Sequence, residues 1–137
     1  MVSNKIKIRV RYAETDQMKI VYYANYFIYF EAGRSELLRS IGLPYSELEK
    51  FGYLLPVIEA YAKYHKSATY DDLIEVNTKL DEYNNVKIKL TYDVYNISTG
   101  ELIAEGYTVH GFIDSNTMKP KRPPDIFIKA IKNNSSR

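Results

Sequence analysis

The sequence predicts an α+β domain in which an antiparallel five-stranded sheet wraps around one long central helix. Three observations carry that expectation. A helix candidate of roughly twenty residues, ending near Gly42, is apolar over most of its circumference. Five stretches outside it read as strands, one before the helix and four after. The last four are joined mostly by short polar turns, which makes neighbours antiparallel and gives the sheet one apolar face. A helix laid on that face buries both apolar surfaces at once.

Residues Lys5 to Tyr12 alternate, with Ile6, Ile8, Val10 and Tyr12 on one side and Lys5, Lys7, Arg9 and Arg11 on the other. This is a half-buried strand whose basic outer face reads as a guard against edge pairing rather than as a phosphate track. A polar loop, Ala13 to Val21, follows. In the helix, Ala24, Phe27, Ile28, Phe30, Ala32, Leu37, Leu38 and Ile41 fit the helical period, and Tyr26 and Tyr29 widen the stripe. Such a helix needs covering nearly all round. Gly42 suits the position just after it, Leu43-Pro44 breaks the chain, and Ser46 to Phe51 makes a short helix or turn closed by Gly52.

Tyr53 to Lys66 is a long apolar run, with Pro56 near its start, where a strand tolerates proline best. Asp71-Asp72 turns the chain into Leu73 to Leu80. Asn84-Asn85 turns it again into Val86 to Val94, the clearest alternation present. Ser98-Thr99-Gly100 leads to a last strand, Leu102 to Asp114. The basic, proline-rich MKPKRPP then precedes an amphipathic segment with Ile126, Phe127 and Ile131, and Asn133 to Arg137 is expected to fray. No repeat or linker divides the chain. Residues 1–137 therefore read as a single domain with a short tail over about 123–137.

Composition bounds the function. With 137 residues, 45% of them apolar and 26% charged, the chain is long enough for a real core and is not disordered. A net charge of +2 gives no footprint for nucleic acid. The lack of cysteine excludes disulfides, thiolate metal sites and a Cys nucleophile. The N-terminus has no apolar signal core, and no apolar run is long enough to span a membrane. The expectation is a cytoplasmic protein without a membrane partner. The 14 tyrosines suit strands and half-polar cavities, where the ring packs and the hydroxyl finds a partner.

The familiar motifs are missing: no GxSxG, no P-loop, no dinucleotide fingerprint, and no HExxH or paired-His spacing. His65 and His110 each fall in a strand and read as packed or hydrogen-bonded residues rather than catalysts. Asp16 has a different setting. It sits in a loop that feeds an apolar helix, with Val21, Tyr22, Tyr23 and Ala24 at the expected first turn. Unpaired amides there, aided by the helix dipole, suit an oxyanion or a polarised carbonyl. The residues alone leave Asp16 either as half of an acyl-transfer site or as an ordinary loop acid or cap.

The stretch RYAETDQMKIVYYANYFIYFEAGRSELLR resembles the signature of the hotdog-fold acyl-CoA thioesterases, in the 4-hydroxybenzoyl-CoA thioesterase and YbgC-like group. The resemblance continues through LLPVIEAYAKYHKSATYDDLIEV and covers roughly Lys5 to Pro123. It implies the hotdog fold and hydrolysis of an acyl-CoA to free acid and CoA. Asp16 would be the catalytic nucleophile or general base, and the backbone amide of Tyr23 would polarise the carbonyl. No metal or redox cofactor is implied, coenzyme A being part of the substrate. The acyl group would lie between paired subunits of a homo-oligomer, at least a dimer and expected as a tetramer. Tyr22, Asn25, Tyr26 and Glu59 are pocket or structural candidates. His65, Lys66 and Ser67, together with Lys119, Lys121 and Arg122, are candidates for the CoA phosphates.

Two departures stand out. The group's pattern has glycine where this chain has Lys19, and often histidine at Tyr23. Glycine there serves a turn with positive φ, so Lys19 must either adopt that conformation or send the loop elsewhere. The rival readings are an acyl-carrier-protein thioesterase of the same fold and a non-catalytic acyl-CoA binder, which the altered loop at Lys19 keeps open.

Overall fold

In the computed structural model, which describes residues 2–135, the first alternating stretch forms β1 (Ser3–Arg9). A 3-10 turn (Tyr12–Glu14) and a loop lead to α1 (Asn25–Ser40), then α2 (Tyr45–Lys50). The remaining strands are β2 (Tyr53–Leu54), β3 (Val57–Tyr64), β4 (Leu73–Tyr83), β5 (Lys87–Asn96), β6 (Leu102–Gly111) and β7 (Ile113–Asp114), followed by α3 (Asp125–Asn134). Five strands form one antiparallel sheet in the order β1-β4-β5-β6-β3, and β2 pairs with β7 apart from it.

Alternation sets which residues reach α1. Thr78, Tyr92, Gly106 and Ala62 lie in register across β4, β5, β6 and β3. The centre of the helix rests on this row. Phe30 stacks on Tyr92 at 4.3 Å between centroids and 8° between planes. A Cβ on Gly106 would strike the Phe30 ring and the Tyr61 carbonyl, and one on Gly33 would strike Thr78 Oγ1. Both glycines are there for close approach. Tyr26, Tyr29, Phe30, Gly33, Leu37 and Leu38 are the buried face of α1. Each large apolar side chain so buried contributes about 1.5–3 kcal/mol.

Several expectations change in detail. The helix has 16 residues, because Val21 and Tyr22 give their amides to the Ala68 and Glu14 carbonyls rather than to a first helical turn. Tyr12 leaves the β1 alternation and is 77% exposed in the 3-10 turn. Tyr53 to Lys66 is two strands, since Leu55-Pro56 passes from the β2–β7 pair to the main sheet. Leu102 to Asp114 likewise breaks at the buried Phe112, which packs against Phe127 of α3. Asn133 and Asn134 belong to α3, while Ser136 and Arg137 lie outside the described residues. The sheet curls along one side of α1 and leaves the other open, where Ile28 is 59% exposed. Gly42 and Gly52 take positive φ, as their places after α1 and α2 require.

Candidate active site

Two segments meet at the N-terminal end of α1. The first is the loop 15–21. Thr15 and Val21 form a bridge, the Asp16 amide donates to the Ile20 carbonyl at 2.9 Å, and the Lys19 amide donates to the Asp16 carbonyl at 2.9 Å. This tight turn holds Lys19 at φ +67°, so the lysine takes the conformation expected of glycine. The Asp16 carboxylate is half-buried. Its Oδ1 accepts the Met18 amide at 2.8 Å, while Oδ2 has no donor among the described residues.

The second segment is the lead-in to α1. The Glu14 carbonyl accepts the Tyr22 amide at 2.9 Å and Asn25 Nδ2 at 2.8 Å. That diversion delays the helix to Asn25 and makes Ala24 its cap, a residue with no side-chain acceptor. As a result the amides of Tyr23 and Ala24 donate to no acceptor among the described residues. Two free N–H groups at the positive end of a helix suit a developing oxyanion.

Glu14, which sequence reasoning passed over, joins these segments. Its carboxylate accepts the Arg11 amide at 3.0 Å, Arg11 Nε at 2.9 Å and the Tyr29 hydroxyl at 2.9 Å. Burial works to raise its pKa, but these donors together outweigh it and hold the carboxyl below the usual range. The only sequence signal was the Arg11–Glu14 spacing, three residues apart at the head of a turn.

Five tyrosines surround the same helix end. Tyr22 and Tyr23 lie side by side at 4.7 Å, 44% and 58% exposed. Interaction with the Tyr23 hydroxyl raises the Tyr22 phenol above its usual pKa, and the Asp16 charge adds a smaller push. Tyr26 is buried, edge-on to Tyr29 at 5.6 Å, and burial pushes its phenol up to about 12. It is part of the core. Asn25 is a tie between loop and helix. Tyr64 of β3 donates its hydroxyl to the Tyr23 carbonyl at 3.1 Å.

His65, Lys66 and Ser67 follow Tyr64 and lie at this end of the molecule, exposed. His65 Nε2 is 3.3 Å from Glu105 and Lys66 Nζ is 3.8 Å from Glu101, so both side chains already have carboxylate neighbours. Glu59 turns to the outer face of the sheet, where it meets the Tyr107 hydroxyl. Lys121 lies over the Tyr53 ring at 4.1 Å and 3.3 Å from Asp114, with Arg122 beside it in sequence. That is beyond the Val57 end of β3, whereas Tyr23 adjoins the Tyr64 end. The strand between them is about 23 Å long. One chain therefore does not bring Lys121 and Arg122 to Asp16.

His110 is fully buried. Its Nδ1 donates to the Leu55 carbonyl at 3.1 Å, so Nε2 accepts from Thr108 Oγ1 at 2.8 Å, and Thr108 in turn accepts the Tyr92 hydroxyl at 2.7 Å. Burial pushes the imidazole down to about 4, against the Leu55 bond, with Arg34 adding to the depression. It is a neutral core residue. Among the described residues no cluster of metal-ligating side chains occurs, and no helix is long and apolar enough to cross a membrane.

A five-stranded antiparallel sheet folded along a single long helix is the hotdog arrangement of the thioester hydrolases. A model of the thioesterase-like superfamily matches residues 10–131, and the chain belongs to that family. It is 41% identical over 117 residues to a Bacillus subtilis protein named "Putative acyl-CoA thioesterase YneP", covering 85% of this chain and 84% of that one. It is 26% identical over 125 residues to the acyl-CoA thioester hydrolase YbgC of Escherichia coli, covering 91% and 92%. A DHNA-CoA thioesterase structure from Staphylococcus aureus superposes with a TM-score of 0.92 at 30% identity, covering 99% of this chain and 93% of that one.

Proposed function

We propose that the protein hydrolyses an acyl-CoA to the free acid and CoA, with Asp16 as nucleophile or general base and the Tyr23 amide polarising the thioester carbonyl. The observation that carries this reading is that the loop holding Asp16, whose Oδ2 has no donor among the described residues, leads into a helix whose Tyr23 and Ala24 amides are unpartnered there. In one route the carboxylate adds to the carbonyl and expels the CoA thiolate, leaving a mixed anhydride that water opens. In the other it removes a proton from a water that attacks directly. Either way negative charge grows on the carbonyl oxygen, and unpartnered amides at a helix head suit that charge.

The proposed active form is a homo-oligomer, a dimer at least. Support comes from β3, an edge strand with Val57, Ile58, Tyr61 and Tyr64 all more than 40% exposed, and from the open face of α1 at Ile28. His65, Lys66 and Ser67 are the proposed phosphate contacts from the same chain. Lys121 and Arg122 would serve only if a second chain brought them across.

The test is thiol release from a panel of aliphatic and aromatic acyl-CoAs, with an acyl-carrier-protein substrate beside them. The Staphylococcus aureus relative, named for DHNA-CoA, puts a naphthoyl ester in that panel. Asp16→Asn is expected to lower kcat by at least about 100-fold with the fold and oligomer intact. A single turnover in labelled water gives a positive sign of the anhydride route: water opening the anhydride at the Asp16 carbonyl leaves an unlabelled acid and a labelled Asp16, which direct attack by water on the thioester does not produce. Tight binding of the esters without thiol release would sink the hydrolase reading in favour of a binder.

A further inference from the structure

The two open amides are held in place by different ties. The peptide carrying the Tyr23 N–H is fixed through the Tyr22 carbonyl, which accepts the Asn25 amide at 2.9 Å. The next peptide carries the Ala24 N–H on one side and the Tyr23 carbonyl on the other. That carbonyl accepts the Tyr26 amide at a long 3.3 Å and the Tyr64 hydroxyl at 3.1 Å. A peptide unit is planar, so holding its carbonyl also sets the direction of its N–H. A hydrogen bond to the carbonyl further polarises the unit and makes the N–H a stronger donor. The Tyr64 ring is itself positioned, edge-on to Tyr23 at 6.3 Å and tilted against Tyr26 at 5.3 Å.

We propose that Tyr64 is a positioning residue for thioester hydrolysis, fixing and polarising the Ala24 amide as a second oxyanion donor beside that of Tyr23. The inference rests on the acyl-CoA reading above and deepens it. Tyr64 acts through the backbone, without touching the substrate. Burial, with a smaller effect of Tyr23, raises its phenol above the ordinary value, so the hydroxyl stays a donor through neutral pH.

Tyr64→Phe keeps the ring and removes only the hydroxyl, at a site 43% exposed in one chain, and light scattering checks that the oligomer is unchanged. With the acyl-CoA that the wild type turns over best, kcat is expected to fall about 10-fold, less than the loss from deleting a direct oxyanion donor. KM stays within about two-fold, because binding to substrate and transition state is not changed equally. An infrared difference spectrum supplies the second readout. The thioester carbonyl band of substrate held on Asp16→Asn enzyme should move to higher frequency when Tyr64→Phe is added. An unchanged kcat, or a fall in kcat with the carbonyl band unmoved, overturns the proposal. A wild type active and silenced by Asp16→Asn, yet indifferent to Tyr64→Phe, sinks this inference alone. A wild type that releases no thiol from any ester sinks both.

Discussion

Lys19 holds a left-handed backbone conformation at φ +67°, which costs a residue with a Cβ on the order of 1 kcal/mol. Its amide closes the turn beneath Asp16, whereas its ammonium enters no ion pair among the described residues. The backbone, and not the charge, is what the turn uses. Lys19→Gly should therefore leave thiol release within about two-fold. Stability should stay level or rise by up to about 1 kcal/mol, because relief of strain is partly offset by glycine's chain entropy. Steady-state kinetics and urea melts check both, and a loss of activity beyond about ten-fold would give the ammonium a role. At this scale the place of Asp16 and Tyr23 just ahead of the helix was legible because a recognisable motif surrounds them. The Glu14–Tyr29 and Tyr64–Tyr23 bonds were not, since each joins residues far apart in the chain and leaves no mark in the local side-chain pattern.

Where α1 crosses the sheet, Gly33 lies against Thr78 Oγ1 and 3.1 Å separates its would-be Cβ from Val76 Cγ1. Alanine is the better helix former by about 1 kcal/mol. Overpacking there costs about 1–3 kcal/mol, because the opposing atoms belong to a central strand that has little room to give. Gly33→Ala is thus expected to destabilise the protein by about 1–2 kcal/mol, against the propensity scale. Chemical denaturation with an unchanged m-value would show it, and a stabilised variant would mean the helix can lift off β4. The strands β4 and β5 were readable because one face of each is buried and the other wet. The breaks at Leu55-Pro56 and Phe112 were not, since an apolar run looks the same whether it stays in one sheet or passes to another. Residue exposure on β3 was equally hidden: apart from Glu59 and Lys63 its side chains are apolar or aromatic, yet most of them face solvent in a single chain.

Across the whole molecule the two sheet edges are unlike. β1 presents Lys5, Lys7 and Arg9 to solvent, while β3 presents mainly valine, isoleucine and tyrosine, with Glu59 and Lys63 among them. Light scattering is expected to give at least twice the 16.0 kDa of one chain. Ile58→Asp, which puts a charge on the apolar edge, should shift that mass toward the monomer and lower activity with it. A wild type that is monomeric and fully active would overturn the oligomer. The strand order has one more result. If two chains join β3 to β3, each brings five strands to a single sheet, and both outer edges are then the basic β1. Growth by strand addition stops there. A chain that keeps one edge of its five-stranded sheet bare for a partner is thereby protected from forming a fibre along that sheet, because the act of pairing consumes, among the described residues, the apolar one of its two edges.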